Sequence, residues 1–185
     1  MDSVQPKPAA TIILVRNPTG AASVLLGRRS DTAAFMPSTY VFPGGAVEAD
    51  DFVTQPDYPL NPVCAVALGH QGFAIAALRE LREETGLQIG SGIDLSPLRY
   101  VFRAVTPASY LRRFDARFFV ANAAAICGDP DDMRPECPEL TDLGWVNITD
   151  LGRMALPSIT RFVLSGVLKK LPSLEPPAPV PEVGL

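Results

Sequence analysis

Leu78-Arg79-Glu80-Leu81-Arg82-Glu83-Glu84-Thr85-Gly86-Leu87 sets three carboxylates at i, i+3 and i+4, positions that share one face of an α-helix. With Glu80 as reference and about 100° per residue, Glu83 lies roughly 60° to one side and Glu84 roughly 40° to the other. Ile75, Leu78 and Leu81 point round the opposite side, where they can anchor the helix to a core. Carboxylates this close repel one another unless a cation sits among them. A hard divalent cation such as Mg²⁺ takes oxygen ligands of this kind, keeps several waters and bridges to substrate phosphates. Gly86 supplies the left-handed residue that ends a helix without strain. Acidic helix strips are most often solvated faces, so the flanking sequence has to decide between a wet surface and a metal site.

Upstream, the β-branched run Ala10 to Arg16, the turn Asn17-Pro18-Thr19-Gly20 and the run Ala22 to Leu26 predict a β-hairpin. Tyr40-Val41-Phe42 reads as a short strand that stops at Pro43-Gly44-Gly45, a turn that also lets backbone approach a ligand closely. The acidic, proline-bearing stretch from Ala49 to Asn61 reads as a loop, Val63 to Leu68 as a short helix, and Phe73 to Thr85 as the main helix. Downstream, strands are expected at Arg99 to Val105, Asp115 to Ala121 and Leu143 to Val146, with a polar loop over Asp129 to Pro138. Phe118-Phe119-Val120 predicts a strand buried on both faces. Helical periodicity returns at Ile159, Phe162, Val163, Val167, Leu168 and Leu171, after the start signals Pro157 and Ser158. The fold class is therefore α/β, a mixed sheet sandwiched between helices. Residues 1–7 are expected to be a disordered N-terminus, 8–171 the domain, and 172–185, with five prolines, a flexible tail.

The 185 residues are enough for one domain with a real core. A net charge of −4 gives no basic footprint, so nucleic acid is not an expected partner. Of the 16 basic residues only Lys7, Lys169 and Lys170 are lysines, and the rest are Arg, the better bidentate reader of phosphate. Cys64, Cys127 and Cys137 have no metal spacing and an odd count, which suits free thiols in a reducing compartment. The start of the chain lacks the pattern of a signal peptide, no apolar run is long enough to span a membrane, and Val183-Gly184-Leu185 is no targeting address. A cytoplasmic location without membrane contact is expected.

Gly45, an acidic residue six positions on at Asp51, and then Arg79-Glu80-Leu81-x-Glu83-Glu84-x-Gly86-Leu87 resemble the Nudix box, G-x5-E-x7-R-E-U-x-E-E-x-G-U, where U is bulky and aliphatic. The second half matches at every fixed position. The first half has Asp51 in place of Glu, with Glu48 nearby, and 27 residues (52–78) where the family has seven. The excess implies an insertion at about 52–72, which closure entropy tolerates because it grows slowly with loop length. The Nudix branch of coenzyme A diphosphatases resembles this chain in carrying an insertion inside the box. Leu25-Leu26-x-x-Arg29-Ser30, twelve residues before Phe42-Pro43-Gly44-Gly45, keeps the spacing of that branch's upstream signature, although its inner Arg and Gly are Ala34 and Ser38 here. Arg112-Arg113-Phe114-Asp115-Ala116-Arg117-Phe118-Phe119 is similar to the same branch.

The resemblance implies a Mg²⁺- or Mn²⁺-dependent diphosphatase acting on a small nucleoside diphosphate linked to a second group, with coenzyme A or its acyl derivatives foremost. Another X-linked nucleotide is the alternative, and a non-catalytic nucleotide sensor is a third, disfavoured because no box glutamate is eroded. Glu80, Glu83 and Glu84 with the Gly45 carbonyl, or less favourably that of Gly44, are the implied metal ligands. Arg79 is implied to orient the glutamates, and an i,i+4 pair with Glu83 is its ordinary helical role. Glu139 is the chosen base and Glu136 the second choice, while Asp142 is expected to face solvent. Asp51 and Glu48 either support Arg79 or are loop charges. Arg29, Arg103, Arg112, Arg113 and Arg117 are candidate phosphate contacts, of which two at most are expected to serve. His70 is given no catalytic role, and core packing is favoured over base stacking for Phe73 and Trp145, with Tyr58 left open. A homodimer is compatible with the sequence.

Overall fold

The computed structural model describes residues 4–33 and 35–184, so Ala34, Leu185 and the first three residues of the expected N-terminal arm lie outside the described residues. Lys7–Arg16 (β1) runs through the middle of the sheet and pairs in parallel with Phe114–Asn122 (β6), from Lys7↔Phe114 to Val15↔Asn122. Ser23–Arg29 (β2) returns beside β1 as the predicted hairpin. Tyr40–Val41 (β3) extends β2 on its outer side, Gly44–Ala46 (β4) pairs with β1, and Leu140–Asn147 (β7) pairs with β2. Arg99–Val105 (β5) lies antiparallel to β6.

Alternation along the strands divides the interior in two. Ala10, Ile12, Leu14, Leu25, Phe119 and Ala121 face the helix Gly72–Thr85 (α3) and pack with its Ile75, Ala76, Ala77 and Leu81. Ile13, Val15, Val24, Leu26, Phe118 and Val120 face the helix Ser158–Leu168 (α4), which presents Val163, Leu164 and Val167. A mixed sheet between helices is the expected architecture. Ala76 and Ala77 sit at the bottom of the α3 core, fully buried.

The structure departs from the sequence reading at several places: Lys7, expected in a disordered arm, already begins β1, and Gly44 and Gly45, expected as a turn, pair with β1 in β4. The stretch after β4 is not all loop: Ala49–Val53 is a helix (α1) started by a capping box, with Glu48 and Asp51 capping each other's backbone N–H reciprocally. After α1, the helix Pro62–Leu68 (α2) is capped by Asn61 and drops Cys64 and Leu68, with the preceding Leu60, into the α3 core. Leu143 to Val146 is part of a longer β7 and is not the last strand. Glu182–Gly184 (β8) adds in parallel to β5, and Leu174, Val180 and Val183 pack on the cores, where a flexible tail was expected. The open edge of β5 offers backbone partners that outweigh the proline content, and Arg103 fixes the strand by an ion pair to Glu182 at 3.2 Å.

Candidate functional site

The acidic strip lies on the last turns of α3, beside β4. Gly86 closes the helix in the left-handed region (φ 76°), its N–H donating to the Arg82 carbonyl at 2.7 Å. The three glutamates are not equivalent. Glu83 is the most exposed, Glu80 is largely covered, and Glu84 is 2% exposed. Glu84 Oε2 accepts a hydrogen bond from the Gly44 N–H at 2.8 Å, which ties the helix to the glycine turn. A Cβ on Gly45 would collide with the Glu80 carboxylate, 2.6 Å from its Cδ, so the bare glycine makes room for that side chain. The two halves of the box are thus in contact.

Arg79 is the joint between them. Its Nε and Nη2 donate to Asp51 Oδ1 and Oδ2 at 3.2 and 3.0 Å, Nη2 also to the Ala46 carbonyl at 2.9 Å. Nη1 donates to Glu80 at 3.0 Å and to Glu83 at 3.2 Å. Burial works against the guanidinium's charge, but the bonds to Asp51 and the charges of Glu80 and Asp51 outweigh it and raise its pKa. Asp51, 4% exposed, therefore supports Arg79 across a separation of 28 residues and is no loop-surface charge. Glu48 does not join it; it caps α1.

Electrostatics mark the strip as short of positive charge. Burial pushes the Glu84 carboxyl up to about 8, helped by the charges of Glu80 and Glu139 and held back by the Gly44 N–H and Arg29. Glu80 is raised by the same cause, with Arg79 opposing and Glu83 and Glu139 adding to the rise. Glu139, on the exposed turn before β7, is thus close enough to act on both carboxylates. Glu136 is turned instead toward Arg82, 3.4 Å away. Asp142 accepts a short hydrogen bond from Tyr40.

Among the described residues no three acidic, His or Cys side chains converge as they stand to hold a metal ion. Glu80 is drawn onto Arg79 and Glu84 onto Gly44. The donor set nevertheless suits a hard cation. It offers oxygen atoms only, at a place where mutual repulsion and burial already raise two carboxylate pKa values.

The candidate arginines separate by their partners. Arg29, at the end of β2, is felt by Glu84 and keeps a buried Nε with no hydrogen-bond partner among the described residues. Arg112 lies on the exposed β5–β6 turn and makes no side-chain bond to the described residues. Arg113 is committed to the carbonyls of Val4 and Thr106, and Arg103 to Asp115 and Glu182. Arg117 pairs with Asp115 and lies over the Phe73 ring, 4.5 Å from its centroid. Trp145 donates from Nε1 to the Pro130 carbonyl and is covered by Arg16 at 4.2 Å, and His70 caps the N–H of Gly72. Tyr58 is exposed on the α1–α2 connection. The orphaned Arg29 Nε and the Gly44 N–H bond are the features that residue spacing alone does not reveal.

No helix among the described residues is long and apolar enough to cross a membrane. The NUDIX domain family matches residues 5–162. A Caenorhabditis elegans relative, provisionally named nudix hydrolase 7, is 42% identical over 186 aligned positions, covering 80% of this chain and 56% of its own length. The chain therefore spans little more than half of that relative. A NUDIX hydrolase from Alicyclobacillus acidocaldarius superposes with a TM-score of 0.69 at 24% identity, over 91% of this chain and 93% of its own. The NUDIX domain of Shewanella oneidensis NrtR, solved in complex with ADP ribose, does so at 0.60 and 12% identity, over 90% and 89%. With the family matched over most of its residues and the box halves in contact, the chain belongs to the Nudix family.

Proposed function

We propose that the chain is a divalent-cation-dependent hydrolase that cleaves the diphosphate link between a nucleoside and a second group, with coenzyme A or an acyl-coenzyme A as the first substrate to test. The observation that carries this reading is the electron-rich site itself. Glu84 is buried against Gly44, Glu80 and Glu139 press on it electrostatically, and Arg79 holds the strip in register. Glu80, Glu83 and Glu84, with the Gly45 carbonyl, would hold Mg²⁺ or Mn²⁺. Such a cation would neutralise the diphosphate and lower the pKa of a water, so that the water attacks phosphorus as it gives up a proton.

The chain's own residues supply the remainder. Arg79 orients Glu80 and Glu83 from behind the strip and reaches no substrate. Glu139, solvent-facing and beside the other carboxylates, takes the proton of the attacking water. Arg29 and Arg112, the two candidate arginines whose side chains make no hydrogen bond or ion pair among the described residues, offer their terminal guanidinium nitrogens to phosphoryl oxygens. Arg113 and Arg117 serve first as structural ties.

Cleavage of coenzyme A would yield an adenosine bisphosphate and a phosphopantetheine fragment. A second reading, another X-linked nucleotide such as NADH, ADP-ribose, a nucleotide sugar or a dinucleoside polyphosphate, is favoured by one local feature. Ser38 stands where the coenzyme A signature has Gly, and its hydroxyl donates to Asp31, which also pairs with Arg28. Assay of coenzyme A and these alternatives with Mg²⁺ or Mn²⁺ decides between the two. The expected outcome is diphosphate cleavage that Glu84→Gln lowers by at least a hundredfold while the folded state is kept. Unchanged turnover in that variant removes Glu84 from the mechanism, and a wide preference for another nucleotide removes coenzyme A.

A further inference from the structure

The face of the sheet opposite Glu80 and Glu84 holds a cavity of about 250 Å³. A register shift between Tyr100 and Phe102 makes its floor, because it turns consecutive Val101 and Phe102 to the same side, where Val120 joins them. Val163 and Val167 of α4 form one wall. The roof is the segment after α4, through Leu174 and Pro181. That roof rests on the three-residue β8 ladder and the ion pairs Arg99–Glu175 and Arg103–Glu182. Phe162, 57% exposed, stands at the cavity beside Phe102, with ring centroids 5.6 Å apart.

Charge at the cavity has one sign to spare. Lys169 and Lys170 line it, and among the described residues neither forms an ion pair. The lining carboxylate Glu175 is answered by Arg99 at 3.7 Å. We propose that this cavity is a binding site for a short aliphatic chain carrying an anionic head, the chain lying between α4 and the sheet and the head on Lys169 and Lys170. An apolar cavity of roughly 150 Å³ accepts a benzene-sized ligand of six heavy atoms, so one of this size accepts about ten. An eight-carbon carboxylate has that size. Such a ligand fastens the roofing segment to the body, because it fills the contact surface beneath Leu174. The site shares no residue with the Arg79–Glu84 network, so its failure leaves the hydrolase reading intact.

Octanoate titrated into the full chain by calorimetry tests the site, with hydrogen exchange read over residues 172–184. The expected result is saturable binding of one octanoate per chain and slowed exchange in that segment. Val167→Phe, which fills the cavity, is expected to weaken binding at least tenfold. The surface pair Lys169→Ala/Lys170→Ala, which leaves the core untouched, is expected to weaken it about fivefold and decides the matter if the first variant does not fold. Absence of saturable binding, or unchanged exchange over 172–184, overturns the site. Octanol bound as tightly as octanoate, or the lysine pair variant within twofold of wild type, overturns the anionic head.

Discussion

Replacing Asp51 by Ala tests the joint on which the site depends. The substitution removes two hydrogen bonds from Arg79, at 3.2 and 3.0 Å, and one from the Glu48 N–H at 2.8 Å. Removing one member of a buried ion pair typically costs about 3–5 kcal/mol, because the other charge is left without its partner. Arg79 keeps the Ala46 carbonyl, Glu80 and Glu83, and its side chain is 19% exposed. The lower end of that range, about 3 kcal/mol, is therefore expected. In urea, with a slope of about 2 kcal/mol/M for a domain of this size, the midpoint should fall by about 1.5 M. The assay is equilibrium unfolding of wild type, Asp51→Ala, Arg79→Met and the double variant. If the cost belongs to the pair, most of it disappears in the Arg79→Met background. A loss below about 1 kcal/mol, or one that persists in full without Arg79, refutes the assignment of Asp51 as the partner that holds Arg79.

The two glycines of the turn should respond differently to Ala. At Gly45 the new methyl meets the end of the Glu80 side chain, which can turn aside at the cost of its bond to Arg79, so folding should survive while hydrolysis falls at least tenfold; at Gly44 it meets the Thr11 Cα at 2.7 Å, backbone that cannot step aside, so thermal stability should fall first. Melting temperatures and rates measured side by side check the contrast, and equal behaviour contradicts it. Glu84 predicts a pH dependence in cation-free protein. Its carboxyl is raised from 4.5 in the open chain to about 8 when folded, so the native state holds the proton more tightly. Its stabilising contribution is full below about 4.5 and is lost as the pH rises to about 8. Thermal melts across that window should show a falling stability that Glu84→Gln flattens, and parallel curves for the two proteins would contradict the burial argument.

The parts of this structure that were legible in the sequence are those with a local signal. The spacing of Glu80, Glu83 and Glu84 and the Gly86 stop place α3 and its acidic face, and short β-branched and aromatic runs place β1, β5 and β6. Long-range pairing was only half legible. Composition shows that Asp51 and Arg79 are complementary, but their contact depends on α1, and α1 announces itself only through the Glu48–Asp51 capping box in a run that otherwise looks like loop. Arg113 resembles a phosphate reader by type, yet its partners are the backbone carbonyls of Val4 and Thr106, which carry no signature in residue identity. The prolines after Leu171 conceal β8 for a similar reason. What decides that strand is the unpaired edge of β5 waiting for it, a property of the folded sheet rather than of the segment.

The parallel pairing of β1 with β6 also has a consequence for how the chain is made. Val15 meets Asn122 in that ladder, a separation of 107 residues. At a synthesis rate of about 5–20 residues per second, the first strand waits about 5–20 s for its main partner. Until then Ile12, Ile13 and Leu14 have only β2, through Val15 and Arg16, and β4, through Ala9 to Thr11, beside them. The glycine turn is thus braced by a strand that is itself unfinished, and the acidic helix is complete before the sheet that locates it. The nascent chain passes through a stage in which an apolar central strand is bare on one edge, where chaperones and rapid completion of β6 matter more than the final stability.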